Sequence, residues 1–517
     1  MQTLCPTKLS YSAFTNNSVF KWEEERCFFF QDINSSKIST PFQDANGLDK
    51  RHLRGLSNLS SHSNSSNRYW PFIDHKKTHL QFDELKKYYG DVSSLSVTGT
   101  LYINLGTLKA VREAHVAKLD CFTKRVEVFS IMSEMFKDGV AFLNNEDWKV
   151  NRKFFLQILK ERVSLSVKNL LSGSLYDAVN ATIVELRAKQ GEEVNIIEFL
   201  TKKCNANMRL VFFGENGISE ENVAVINENY AVMMVCFTAP NLLLTGNIAK
   251  YLILPFTPGY KESMARLKKI EKILYQIIDE HKSTYDENHS RDIIDDYIKE
   301  RIARRSKGDP TAQYFTDKYL MSSLVQILGD GVLSVAAFIA LFLKTLLDHP
   351  EEQEKLYKEL VEVVGHDRLP TIEDKSRLTY TNAFMLEGMR VADFFPFFPS
   401  MECTKETTIS GYRIPKGSVS LMNIYSAHHD PETYEEPYKF NPSRFIKTDD
   451  KKKADPLVTF GVGKRACIGE SFTMLQVFLF TTALVKNFKI SVPEDIQQNT
   501  FELLMEGKLK IKLEPRN

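Results

Sequence analysis

The sequence predicts a mainly α (α+β) fold, a large helical body with a small strand-rich lobe, and three observations carry that prediction. Apolar residues recur at helical spacing from about residue 108 to 390, with amphipathic stretches such as LYDAVNATIVELRAK. Strand signals fall outside that region: Val92 to Val97 and Leu101 to Leu105 flank Thr98-Gly99-Thr100, and after residue 400 come TTISGY and SVSLMNI among Pro- and Gly-rich loops. The run VLSVAAFIALFLKTLL at 332–347 is apolar almost all round. Extending it to membrane-spanning length draws in Gln326 and Asp330, and it stops at Lys344 and Asp348-His349-Pro350, so it reads as a helix through the middle of a large core.

In chain order, residues 57–67, SNLSSHSNSSN, form a polar tract with nothing to bury, and 1–67 is read as a disordered or non-native N-terminal extension. The first acidic residue is Glu23, a poor fit to an organelle transit peptide. Order is expected from Tyr69-Trp70-Pro71-Phe72. LQFDELKKYYG follows at helical spacing and is stopped by Gly90. The predicted hairpin, the long helical region, the second group of strands and a last apolar helix, SFTMLQVFLFTTALV, complete the chain. No internal repeat or interdomain linker occurs after residue 70, which makes 68–517 a single domain.

With 43% hydrophobic and 26% charged residues among 517, the chain can bury a large core. Lysine and arginine total 67 against 66 acidic residues, so no global field draws it to nucleic acid. The seven cysteines are scattered and never form a CxxC pair, which argues against a disulfide framework or a zinc site and for a reducing compartment. No run of about twenty apolar residues opens the chain, so neither a signal peptide nor an N-terminal anchor is expected.

The most informative segment is Phe460-Gly461-Val462-Gly463-Lys464-Arg465-Ala466-Cys467-Ile468-Gly469, which leads into a helix near Glu470 and fits FxxGxRxCxG at every fixed position. A thiolate at Cys467 can ligate haem iron and push electron density onto it, provided it is kept deprotonated and sheltered. Helix N-terminal amides favour a negative sulfur. Gly463 and Gly469 let backbone approach a flat macrocycle that a Cβ would strike. Arg465 can pair with a haem propionate, and Phe460 can shield the sulfur.

At this loop the sequence resembles the cytochrome P450 family, and three further motifs precede it in the family's order. They are Trp148-Lys149-Val150-Asn151-Arg152, Glu387-Gly388-Met389-Arg390 and Asn441-Pro442-Ser443-Arg444-Phe445. The resemblance implies that Trp148 and Arg152 meet a propionate, and that Glu387, Arg390 and Arg444 form a charge-paired support for the cysteine loop. It runs from about 70 to 510, includes GYRIPKG at 411–417, and looks closest to the microsomal, drug- and steroid-hydroxylating branch, with arthropod members similar. It therefore implies one haem-thiolate catalytic domain at 68–517 carrying haem b. The implied reaction inserts one atom of O2 into a small apolar substrate, with electrons from an NADPH-dependent reductase at the endoplasmic reticulum membrane. The membrane anchor usual in that branch is not seen in these residues.

The sequence also departs from the pattern. The family's central helix usually carries an acid followed by an alcohol that deliver protons for oxygen activation. Counting back from His349-Pro350, the matching stretch is Asp330-Gly331-Val332-Leu333-Ser334, where Gly331 is kept, Ser334 replaces the usual threonine and Leu333 the acid. Asp330 and Ser334 are four apart and share a helical face, so the acid can have moved by one turn; the alternative is that Asp330 caps or kinks the helix between two glycines. Met401 stands where a propionate-binding cation is often found, leaving one propionate short of a partner. Val335, Phe395, Phe397 and Phe398 are the expected substrate-facing residues. The weakened acid–alcohol pair keeps two other readings open: a reductase-independent isomerase or dehydratase of hydroperoxides, and a catalytically silent haem-binding protein.

Overall fold

The computed structural model describes residues 78–167, 175–189, 191–215, 217–392, 397–446, 457–493, 503–504 and 507–516. The expected extension at 1–67 lies outside these residues.

Chain entry into the described fold is governed by two turns that the sequence dictates. Helix α1, Thr78–Tyr89, ends where Gly90 takes φ 85° and its amide returns to the carbonyl of Lys86 at 2.8 Å. Strands β1, Val92–Val97, and β2, Thr100–Leu105, then pair with Val97 opposite Thr100, so the turn is two residues long rather than the three expected. Thr98 and Gly99 both adopt positive φ, the mirror-image turn whose twist matches that of antiparallel strands.

Strand β3, Lys124–Arg125, precedes the helical body. In that body the helices of eight residues or more are α2, Asn145–Val167; α3, Leu175–Ala188; α4, Ile196–Phe213; α5, Glu220–Met233; α6, Tyr260–Ser283; α7, Ile293–Ser306; α8, Asp317–Asp348; α9, Pro350–Val364; and α10, Thr379–Val391. Strand β4, Glu193–Asn195, lies between α3 and α4. After α10 come β5, Phe397–Glu402; β6, Thr407–Ile409; β7, Tyr412–Ile414; and β8, Val419–Asn423. The last helix, α11, Glu470–Asn487, leads into β9, Phe488–Ser491, and β10, Lys510–Pro515.

Among the described residues the strands form three sheets. The largest has the order β1-β2-β8-β5-β3, in which β2 and β8 are parallel; a second runs β4-β10-β9; and β6 pairs with β7. These strands and the apolar face beneath them form a core cluster around Ile103, Val111, Phe122 and Met401, next to the much larger cluster of the helical body.

Helix α8 is the one described helix long and apolar enough to cross a membrane, but it is mostly buried and runs through the helical core, packed against α4, α5, α6 and α11. Two of its buried polar side chains bind neighbouring backbone. Gln326 accepts from the amide of Ala141 and donates to the carbonyl of Phe136, and Ser323 Oγ accepts from the amide of Val140. Gly139 makes this approach possible, since a Cβ there would lie 2.2 Å from Gln326 Nε2. The central helix thereby fixes the 136–144 loop, which enters α2 and carries the groups that hold the cysteine loop.

Helix α10 is seated on α8 by another close approach. A Cβ at Gly388 would lie 2.5 Å from a ring carbon of Phe342, so glycine between Glu387 and Arg390 lets the two helices meet.

Candidate active site

The cysteine loop is shaped by backbone constraints before any side chain acts. Gly461 and Gly463 adopt φ 72° and 73°, and the amide of Cys467 donates to the carbonyl of Phe460 at 2.8 Å, closing the loop on itself. Gly463 has a different neighbour from the one expected: its Cβ would fall 2.2 Å from the carbonyl oxygen of His115, so this glycine lets the loop pack on protein backbone. Gly469 does adjoin the sulfur, with its amide 3.3 Å from Cys467 Sγ. The ring of Phe460 packs on Phe338 of α8, centroids 5.7 Å apart, tying the loop to the central helix.

Cys467 is exposed, yet burial raises its thiol pKa. Protein atoms crowd the sulfur, with the Asp330 and Glu470 carboxylates near enough to act on it, while the residue keeps accessible surface. The Gly469 amide acts in the expected direction, toward a negative sulfur, but against larger opposing effects. Desolvation and the carboxylates of Asp330 and Glu470 outweigh the Gly469 amide and Arg152, so the protein alone favours the thiol. A metal ion at the sulfur would supply what is missing, because coordination deprotonates a thiol.

Beside the loop lies a concentration of positive charge. Arg465 donates to the carbonyls of Thr123 and Leu143 and to Asn144 Oδ1, and its guanidinium lies 3.8 Å from the Trp148 ring centroid. Arg152, one turn beyond Trp148 on α2, donates to the carbonyl of Ala466 at 2.6 Å. Arg125, on β3, reaches the carbonyls of Ala141, Pro399 and Ser400. Desolvation, then repulsion from Arg152, lowers the Arg125 pKa to about 9; desolvation, then repulsion from Arg125 and Arg152, lowers that of Arg465 to about 8. Neither Arg152 nor Arg465 meets a carboxylate among the described residues. Trp148 Nε1 is buried without a protein partner.

Clustered guanidiniums and an orphaned N–H donor are what a pair of carboxylates would satisfy. Together with an inward-facing thiol, this donor set fits haem: its propionates can take Trp148, Arg152, Arg465 and Arg125, and its iron can take Cys467. Arg125 was not singled out from the sequence. Its strand register places it opposite Met401, so a cation stands across the ladder from the position where the sequence showed none.

The support is an ion-pair network. Glu387 and Arg390, both fully buried, are joined by two bonds of 2.8 Å; Arg444 Nε lies 3.1–3.2 Å from the same carboxylate; and the amide of Asn441 donates to Glu387 Oε1 at 2.8 Å. Arg390 also donates to the carbonyls of His428 and Pro437. Burial, with positive charge nearby, lowers the His428 pKa to about 3, so its ring is neutral and Nε2 accepts from the amide of Val458 at the start of the cysteine segment. His428, unremarked in the sequence, is the link between the network and the loop.

Across the cleft, α8 runs unbroken through Gly329-Asp330-Gly331, so Asp330 neither caps nor ends it. Between Lys318 and Asp348, Asp330 is the one exposed residue of the helix, with Gly331, Leu333 and Ser334 half-buried beside it. Tyr230 on α5 donates to Asp330 Oδ1. Desolvation raises the Asp330 pKa to about 6, against the lowering effect of that bond. Val335 does not share this face. It lies five residues on, about 140° around the helix, and is buried in the main core. Phe397 is half-buried and packs edge-on against Phe82, centroids 5.1 Å apart. Phe395 and the side chain of Phe398 lie outside the described residues.

Mainly helical architecture, an inward-facing cysteine on a glycine-bent loop and an adjoining carboxylate-binding cluster define the class of haem-thiolate enzymes. The family model for cytochrome P450 matches residues 66–515. The chain belongs to the cytochrome P450 family and is a P450 monooxygenase, an oxidoreductase that uses haem, oxygen, a redox partner and apolar substrates. It is similar to cytochrome P450 2J1 of Oryctolagus cuniculus, 29% identical over 432 residues that cover 82% of this chain and 83% of that protein. It is also similar to cytochrome P450 2F3 of Capra hircus, 27% identical over 428 residues covering 80% and 84%, and to cytochrome P450 1A2 of Homo sapiens, 28% identical over 452 residues covering 83% and 86%.

Replacing Trp148 by Phe removes the orphaned donor while nearly keeping the ring. The haem-free protein should unfold at an unchanged or slightly higher denaturant concentration, while haem is lost roughly ten times faster to a scavenging globin. Unchanged haem loss would remove Trp148 from the propionate site.

Proposed function

We propose that this P450 carries haem b and inserts one oxygen atom from O2 into a small apolar substrate of xenobiotic, steroid or fatty-acid type, with electrons from an NADPH-dependent reductase. The observation that carries this reading is a carboxylic acid, Asp330, with a pKa raised to about 6, near enough to Cys467 to act on its sulfur and four residues before Ser334. An acid poised near the working pH can give up and regain a proton in each cycle. When bound, haem supplies the redox-active iron, and its thiolate ligand favours O–O cleavage. The chain's own residues do the rest. Trp148, Arg125, Arg152 and Arg465 hold the propionates, Cys467 holds the iron, and Glu387, Arg390 and Arg444 brace the loop. Asp330 holds a proton at its carboxylate, and the Ser334 hydroxyl lies one turn along the same face. Residues 68–517 act as one catalytic domain.

The second reading is reductase-independent isomerisation or dehydration of a hydroperoxide. It is favoured by Leu333, a half-buried apolar residue where the family pattern has its acid.

The proposed site of action is the endoplasmic reticulum membrane. Supporting this, Ile248, Leu252 and Phe256 recur every four residues along a helical run, all strongly exposed, with Tyr251 beside them and Val128 and Val235 close by. An exposed apolar stripe of this kind suits insertion into a membrane surface.

Replacing Asp330 by Asn should lower product formed per NADPH by roughly a hundredfold while NADPH consumption continues. Unchanged coupling would remove the relay, and product formed from hydroperoxide without reductase would favour the second reading. Replacing Leu252 and Phe256 by Glu should abolish co-flotation with phospholipid vesicles, and retained flotation would remove this surface from membrane attachment.

A further inference from the structure

We propose that Tyr230 is the positioning residue for Asp330, fixing the carboxylate at the cleft so that the pair replaces the acid absent at Leu333. This rests on the monooxygenase reading.

Three observations carry it. The Tyr230 ring is buried in the core, and its hydroxyl donates to Asp330 Oδ1 across the contact between α5 and α8. The ring has a seat built for it. A Cβ at Gly329 would lie 2.2–2.5 Å from three of its carbons, so only glycine lets the ring lie against the helix backbone there. On the other flank a Cβ at Gly331 would lie 2.6 Å from Met208 Cε, so α4 closes in from that side. Glycine inside a helix is destabilising relative to alanine. At Gly329 helix stability is traded for the close seat of the ring, whereas at Gly331 the neighbour is the flexible end of Met208.

The electrostatic surroundings are simple. Among the described residues no lysine, arginine or histidine forms an ion pair with Asp330. No charged group from α4, α6, α9, α10, α11 or β9, the other elements packed on α8, acts on it. Besides burial, the groups that face it are the Tyr230 hydroxyl from α5 and, across the cleft, the Cys467 sulfur. The phenol occupies Oδ1 and donates rather than accepts, because burial and the neighbouring carboxylate hold its own pKa well above the usual value. Oδ2 is left to carry the exchangeable proton.

Removing the phenol donor takes away a bond that favours the charged carboxylate, so the Asp330 pKa must rise. The test follows the carbonyl stretch of the protonated carboxyl by infrared spectroscopy across pH, with Asp330→Asn as the blank, in haem-free and haem-loaded protein. Wild type should titrate near pH 6, and Tyr230→Phe about one pH unit higher. The pH profile of product per NADPH should shift by the same amount. Gly329→Ala, which displaces the ring, should move both readings in the same direction. An unchanged infrared midpoint in Tyr230→Phe would overturn the assignment, as would a shifted midpoint with an unmoved coupling profile. Wild type that forms no product with reductase would instead sink the monooxygenase reading; the infrared midpoint needs no turnover and still decides whether Tyr230 governs Asp330.

Discussion

The arrangement of this protein turns on holding like charges together. Arg125, Arg152 and Arg465 are drawn from a strand, a helix and the cysteine loop; burial acts against all three charged forms, and repulsion adds to it at Arg125 and Arg465. The fold keeps them in place by aiming backbone carbonyls at each guanidinium: those of Ala141, Leu143, Thr123, Pro399, Ser400 and Ala466. Partial charges of this kind orient a cation without neutralising it. Carboxylates brought by a ligand would complete the balance, which is the proposed role of these residues toward the haem propionates.

Everything around the cluster keeps its parts in register. Helix α8 holds the 136–144 loop through Ser323 and Gln326, and that loop holds Arg465 through Leu143 and Asn144. From the other side, the Glu387–Arg390–Arg444 network reaches the cysteine segment through His428, whose neutrality under burial leaves a ring nitrogen free to accept from Val458. Breaking one member of such a buried network leaves a charge without compensation, typically a loss of about 3–5 kcal/mol. The network therefore works on structure at a distance from the chemistry.

Much of this was legible in the sequence because it is local. The cysteine loop is contiguous, and its glycines and cysteine carry their meaning in order. The hairpin at 92–105 follows from Thr98-Gly99, and the central helix from an apolar run interrupted by few polar residues. What the sequence withheld depends on register and packing. Arg125 becomes a member of the site only because β3 pairs with β5 and sets it opposite Met401. Gly463 looked like a residue yielding space to a macrocycle, and its immediate neighbour is the His115 carbonyl. Val335 was chosen by proximity in sequence, while five positions of helical rotation turn it into the core. Tyr230 lies a hundred residues from Asp330, and nothing short of the α5–α8 contact joins them.

The central claim is that Cys467 ligates haem iron as a thiolate, although burial alone favours its thiol. The measurement that tests it most directly is the carbon-monoxide difference spectrum of the reduced, haem-loaded protein beside Cys467→Ser. The account predicts the long-wavelength Soret band characteristic of thiolate ligation in the wild type and its loss in the variant. A folded wild type showing only the shorter-wavelength band of neutral ligation, or a variant that keeps the long-wavelength band, would contradict it.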